Sequence, residues 1–166
     1  MNTTTTVQVA GVKETINALK KIDPELQKQF KADATAIAKP AINAVQNKYT
    51  QVPLSGMSRD WQWHKRNPPQ KIKGFDVGRA KRGVQMKFDT RRNAIGVILI
   101  IQKDQAAAIF ETAGRANSSR LSQNLGDVQP GRTRIIGPAV YRARKGIERE
   151  MQRMINGVSS MIARQM

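Results

Sequence analysis

Val84-Gln85-Met86-Lys87-Phe88-Asp89, then Thr90-Arg91-Arg92-Asn93, then Ala94-Ile95-Gly96-Val97-Ile98-Leu99-Ile100-Ile101: the fold is decided in this stretch. In its first part apolar Val84, Met86 and Phe88 alternate with polar Gln85, Lys87 and Asp89, the period of a half-buried strand. Its middle can turn. Its last part is a continuous apolar run, the pattern of a strand covered on both faces. The spacing predicts a β-hairpin at the centre of the molecule.

Working outward toward the amino end, residues 50–82 carry Pro53, Gly56, Pro68, Pro69, Gly74 and Gly78, which break any periodicity. The composition predicts an extended basic loop or arm there. Before it, Leu26, Phe30, Ile37, Ala41 and Val45 form one stripe of a long helix ending near Tyr49. Asp23-Pro24-Glu25 supplies its start: an N-cap acid, a proline at the first helical position and an acid in the first turn. Pro40 lacks a backbone N–H and is expected to kink or split that helix. Val12, Ile16 and Leu19 predict a shorter helix to about Ile22, and Val7-Gln8-Val9 a short strand. Residues 1–6 are expected to be a flexible tail.

Toward the carboxyl end, Ala106–Glu111 is apolar but too short to type by period. Residues 115–134 are polar, contain Gly and Ser, and are expected to form a second loop. Gly137-Pro138 opens a final long helix with Val140, Ile147, Met151, Met154, Val158 and Ile162 on one face. Arg142, Lys145, Arg149 and Arg153 lie largely off that stripe. The whole reads as one α+β domain over residues 1–166. A small antiparallel sheet packs against a long kinked helix in the amino-terminal half and a long carboxyl-terminal helix, with extended basic loops.

The charge balance is the dominant compositional fact: 29 Lys and Arg against 12 Asp and Glu, a net +17. The excess is uneven. Residues 57–92 hold 11 basic and three acidic groups, whereas 93–114 hold one and two. The near-neutral block is also the most apolar, so it reads as core flanked by basic regions. Such a field attracts polyanions. Arg59, Lys65, Arg66, Arg79, Lys81, Arg82, Arg91 and Arg92 are the candidates for a basic surface or channel lining.

Catalytic chemistry has little to work with. There is no cysteine, which excludes disulfides, thiol catalysis and thiolate metal sites. His64 is the single histidine, set in Trp61-Gln62-Trp63-His64-Lys65-Arg66, and nothing beside it in sequence orients the ring. No Gly-rich loop carries a Lys-Ser/Thr step, so no phosphate-binding loop is present. Gly78-Arg79-Ala80-Lys81-Arg82-Gly83 reads as a basic turn. No enzyme activity, cofactor or metal is expected. Met1–Thr6 has neither a basic nor an apolar region of a signal peptide, and the run from Ala94 to Ile101 is too short to span a bilayer, so a cytoplasmic protein without membrane contact is expected.

Two features ask for a role. Glu111 follows Ala106-Ala107-Ala108-Ile109-Phe110 in the least charged block. It is either a helix-end acid reaching solvent or a structural acid gripping an Arg, within the subunit or across an interface. The basic segment around Trp61 and Trp63 can bind nucleic acid by phosphate contact and stacking, be a solvated loop, or pack as an arm on a neighbouring subunit. Alternate residues of an extended segment point the same way, so both rings could enter one neighbouring surface. On that reading the arm is mobile in the free subunit and ordered in the assembly.

The order of these features resembles the small neck and tail-completion proteins of long-tailed bacteriophages. Val9-Ala10-Gly11-Val12 with Leu19, the Lys- and Ala-rich helix and Pro53-Leu54-Ser55-Gly56 carry the likeness first. Ala107-Ala108-Ile109-Phe110-Glu111-Thr112-Ala113-Gly114 and Arg134-Ile135-Ile136-Gly137-Pro138-Ala139 complete it. The likeness runs in order over roughly residues 7 to 160. The Trp-containing stretch 57–82 and Ala113 between Glu111 and Gly114 depart from the pattern. The resemblance implies a virion protein assembled in the host bacterial cytoplasm. It would be a homo-oligomeric ring subunit, six-fold, between head-connector and tail-tube proteins, with non-specific DNA contact. Tail terminator or another minor tail ring is the neighbouring reading, and a sequence-independent nucleic-acid-binding protein the reading of another class. The candidates for subunit contact are Trp61, Trp63, Glu111, Arg132 and Arg134.

Overall fold

The computed structural model of the chain describes residues 3–52, 57–63, 68–89, 97–114, 120–128 and 132–165. Its centre is the expected hairpin. Strands β4 (Val84–Asp89) and β5 (Val97–Gln102) pair antiparallel, Phe88 opposite Ile98 and Met86 opposite Ile100. The other edge of β5 takes β1 (Thr3–Gln8), also antiparallel, with Val7 opposite Ile98 and Thr5 opposite Ile100. Sheet order is therefore β1-β5-β4, with the most apolar strand in the middle, shielded by both neighbours.

Directly opposed residues share a face. One face thus carries Val7, Ile98, Ile100, Val84, Met86 and Phe88, and the first three are completely buried. Helix α2 (Pro24–Tyr49) packs against β4, and α6 (Ile136–Gln165) against β1. They also pack on each other and on α1 (Val12–Ile22), so the helices form one layer on that face. On the other face Thr4, Thr6, Gln8 and Lys87 are exposed.

Residues 3–6 are not a free tail. Thr3–Thr6 extend β1 because four β-branched side chains suit a pleated edge. Thr3 is buried, and its hydroxyl donates to the Ala108 carbonyl at 3.3 Å. Helix α2 starts as its sequence dictates, Asp23 accepting from the Glu25 N–H at 2.8 Å with Pro24 next. It is not split at Pro40. Pro40 and Ala36 are both exposed, so water can serve the carbonyl that the missing N–H would have bonded. The buried line of α2 runs Phe30, Ala34, Ala38, Ala41, Val45, Tyr49. Leu26, assigned to the stripe by spacing, is instead 42% exposed.

The region expected to be an extended arm carries regular structure where it is described. Strands β2 (Trp61–Trp63) and β3 (Gln70–Ile72) form a second, two-stranded antiparallel sheet, Trp61 opposite Ile72. The supposed basic turn is helix α3 (Val77–Gly83), capped by Asp76, which accepts from the Arg79 N–H at 2.7 Å. The segment is sewn to itself and to the core. The Phe75 N–H donates to Met57 O at 2.6 Å, the Gly74 N–H to Asp60 at 2.8 Å, and the Gln46 amide to Lys81 O at 2.9 Å. A side chain at position 74 would strike the Ser58 carbonyl.

Ala106–Glu111 belongs to helix α4 (Gln105–Thr112), whose cap Asp104 accepts from the Ala107 N–H at 2.9 Å. Within the expected second loop lies helix α5 (Arg120–Leu125). Helix α6 buries Ile136, Val140, Ile147, Met151 and Ile155, while Met154, Val158 and Ile162 of the expected stripe are half-buried. Among the described residues no helix is long and apolar enough to cross a membrane.

Candidate functional site

Among the described residues Glu111 is the one buried charged side chain, in the last turn of α4 and 0% exposed. A carboxylate there needs donors. The Tyr49 hydroxyl, on the last residue of α2, donates to Oε1 at 2.6 Å. The Ile135 N–H donates to Oε2 at 2.9 Å, and the Ile136 N–H lies between both oxygens at 3.3 and 3.4 Å. The first N–H groups of a helix have no partner within it. Here Glu111 caps α6 from a different helix, and the Thr133 hydroxyl takes the Gly137 N–H at 2.6 Å.

Burial pushes the Glu111 carboxyl above its usual range, opposed by the N–H of Ile135, the Tyr49 hydroxyl and the N–H of Ile136. The positive end of the α6 dipole also favours the ionised form. Every donor around Glu111 points at an oxygen, and only the Tyr49 oxygen could accept a carboxyl proton. We therefore take Glu111 as a carboxylate at neutral pH. Burial, and then the Glu111 charge, push the Tyr49 hydroxyl far above its ordinary range, so it stays a donor.

Arg134 completes the tie from the other side. Its Nε donates to Phe110 O at 3.1 Å, Nη1 to Leu125 O at 2.6 Å, and Nη2 to Ala113 O and Gly126 O, each at 2.6 Å. These carbonyls lie at the carboxyl ends of α4 and α5, where the last carbonyls lack helical donors and a cation is favoured. The guanidinium also sits 5.9 Å from the Phe110 ring centroid. Burial lowers its pKa, while Glu111 and Asp127 raise it. Gly114, at φ 96°, lets the chain pass this crowded point, because a Cβ there would strike Gly126 O and crowd Arg134. Tyr49, Phe75 and Phe110 line up beside it with ring centroids 6.5 and 6.4 Å apart.

This arrangement corrects the expectation for Glu111. Glu111 is not a solvent-reaching acid, and with no exposed surface in the folded subunit it is not available to a neighbouring one. Nor does it grip an Arg directly. Arg134 binds carbonyls, and its backbone N–H donates to Glu111 O at 3.3 Å. A carboxylate so enclosed reaches no substrate; it joins α2, α4 and α6. Tyr49 and Thr133 were missed by the sequence reading. The placement of Tyr49 on the Val45 side of the α2 stripe was the one available signal for it.

The other candidates are dispersed. Arg132 is exposed and lines a groove of about 620 Å³ with Thr4, Thr5, Thr6, Thr133, Pro138 and Tyr141. Arg59 and Arg82 are exposed. Arg79 is not a free surface cation: it is ion-paired with Asp104 at 3.3 Å and also donates to Gly74 O. Lys81 is half-buried on α3. The backbones of Trp61 and Trp63 lie in β2, and the placement of their rings is outside the described residues, as are His64, Lys65, Arg66, Arg91 and Arg92. Among the described residues no group of three or more His, Cys, Asp or Glu could hold a metal ion. No family model, curated protein or solved structure matches the chain.

Proposed function

We propose that the chain is a structural virion subunit that works by assembly: a ring-forming component, six-fold, joining a DNA-filled phage head to its tail. Tail terminator or another minor tail ring is the same kind of assembly at a neighbouring layer. The reading assigns the chain no catalytic step and rests on the family resemblance together with one feature of the surface. Of the four large apolar side chains exposed among the described residues, Tyr141 lies near the Glu111 end of the helical layer and the other three toward the far end.

Tyr49 closes α2 beside the first residues of α6, so the two helices run antiparallel. With 26 and 30 residues they are about 39 and 45 Å long. The last turns of α6 therefore lie alongside the α1–α2 junction. Ile22, Leu26 and Met161, 49%, 42% and 56% exposed, belong to that end. Grouped exposed apolar surface marks association. Light scattering and electron microscopy of the purified protein test the reading. Rings are expected, and Leu26→Asp with Met161→Asp should disperse them into subunits that remain folded by circular dichroism. A monomer at every concentration, alone and with connector or tail-tube proteins, would overturn it.

A further inference from the structure

The outer face of α6 is a ridge of cations. At 3.6 residues per turn, Arg142, Lys145, Arg149 and Arg153 fall within about 80° of arc, opposite the buried line of Val140, Ile147, Met151 and Ile155. All four are exposed. They span about 16 Å of helix axis at 1.5 Å per residue. The two acids of α6 stand off the ridge, each held by a cation: Glu148 by Arg144 at 2.6 Å, Glu150 by Arg153 at 2.9 Å. Arg142, Lys145 and Arg149 form no ion pair among the described residues.

A face meant only for water would intersperse signs, because like charges three and four residues apart destabilise a helix. This ridge repeats like charge at 142–145, 145–149 and 149–153, so the sequence accepts that repulsion at each step. Most of the apolar face of α6 is spent on the core, and its two exposed large apolar side chains, Tyr141 and Met161, stand 20 residues apart, which is too little to insert into a bilayer. The four ridge positions themselves hold no large apolar anchor of the kind that dominates protein interfaces; Tyr141, 78% exposed, stands about 40° to one side. A straight row of point charges fits a straight row of anions. Over about 16 Å of axis, one strand of B-DNA presents roughly four to five phosphates at 3.4 Å each.

We infer that the α6 ridge is a sequence-independent contact for the phosphate backbone of duplex DNA, with Arg142, Lys145 and Arg149 as its main contacts. It does not rest on the ring reading, because a monomer presents the same ridge. The test is fluorescence anisotropy of a labelled duplex from 50 to 200 mM salt. Three variants are compared with the wild type. Arg142→Gln/Lys145→Gln/Arg149→Gln removes the ridge. Lys20→Gln/Lys21→Gln/Lys39→Gln removes the same charge from exposed positions on α1 and α2. Arg142→Lys/Arg149→Lys keeps the charge.

Each lost phosphate contact lowers the slope of log affinity against log salt by about 0.9. The ridge variant should lose about 2.7 from the slope, so its affinity should fall about 40-fold less than the wild type's across that range. The other two variants should keep the wild-type slope. Equal losses in both Gln variants would mean that net charge, not the ridge, binds DNA. Loss in the Lys variant would mean that packing rather than charge is read. Absence of wild-type binding at 50 mM salt would also overturn the inference.

Discussion

Removing the Glu111 side chain should unfold this protein sooner than any other single truncation in the α4–α6 joint. Glu111→Ala strands three buried donors: the Tyr49 hydroxyl and the N–H groups of Ile135 and Ile136. Each orphaned donor costs about 1–3 kcal/mol, and water entering the vacated space recovers part of it, so we expect about 3–5 kcal/mol in total. At roughly 2–4 °C per kcal/mol for a chain of this size, the melting temperature should fall by about 6–20 °C. Glu111→Gln keeps the shape but offers one acceptor oxygen where the carboxylate offered two to the converging donors, a loss of about 1–2 kcal/mol. Glu111→Lys places an unpaired cation where donors already converge, and should cost about 3–5 kcal/mol or more.

Burial raises the Glu111 carboxyl in the folded chain. Between its ordinary value and the raised one, the folded state therefore holds a proton that the unfolded state has released. Stability from this group is full below that window and is lost as pH rises through it. Wild-type stability relative to Glu111→Gln should accordingly improve as pH falls through the window. Denaturant titrations of wild type and the three variants at several pH values give all these quantities. Glu111→Ala within about 1 kcal/mol of wild type would refute the joint, because that is no more than an ordinary surface substitution costs.

Two further outcomes follow from neighbouring contacts. Tyr49 keeps its proton far above the ordinary phenol range when folded, so the folded state holds more protons than the unfolded one above about pH 10, and stability should decline there as pH rises. Tyr49→Phe should remove that alkaline decline; an unchanged profile would show that another group causes it. The Gly74 and Phe75 amides, bonded to Asp60 and Met57, should exchange slowly with deuterium in a proven monomer. Exchange as fast as in an unfolded peptide would restore the reading of residues 57–82 as an arm ordered only by partners.

How much could be read beforehand depended on the length of each pattern. The β4–β5 hairpin was legible because alternation over 84–89 and a continuous apolar run to Ile101 are two unlike signals that meet at a turn. The start of α2 was legible because Asp23-Pro24 is local capping chemistry. Strands β2 and β3, three residues each, are shorter than any period that could announce them, and α3 contains Gly78 and Gly83, which read as breakers. Thr3–Thr6 looked like a tail because an edge strand need not be apolar. Its pairing with β5 lies almost a hundred residues away.

The functional residues divide in the same way. An acid after Ala106–Phe110 was conspicuous, since a charge in an apolar block must be satisfied by something. What satisfies it could not be read, because backbone N–H groups carry no residue identity and Tyr49 is 62 positions distant. Arg134 was visible as a cation ahead of Gly137-Pro138, but carbonyl acceptors are likewise anonymous in sequence. The α6 ridge is the opposite case. Its residues were plain in the sequence as the polar side of an amphipathic helix, and what the fold adds is that most of the apolar side, from Ile136 to Ile155, is already consumed by the core. Arg142, Lys145 and Arg149 then stand as three like charges in a row with no ion pair among the described residues, and the proposed contact with a polyanion is what would offset their repulsion.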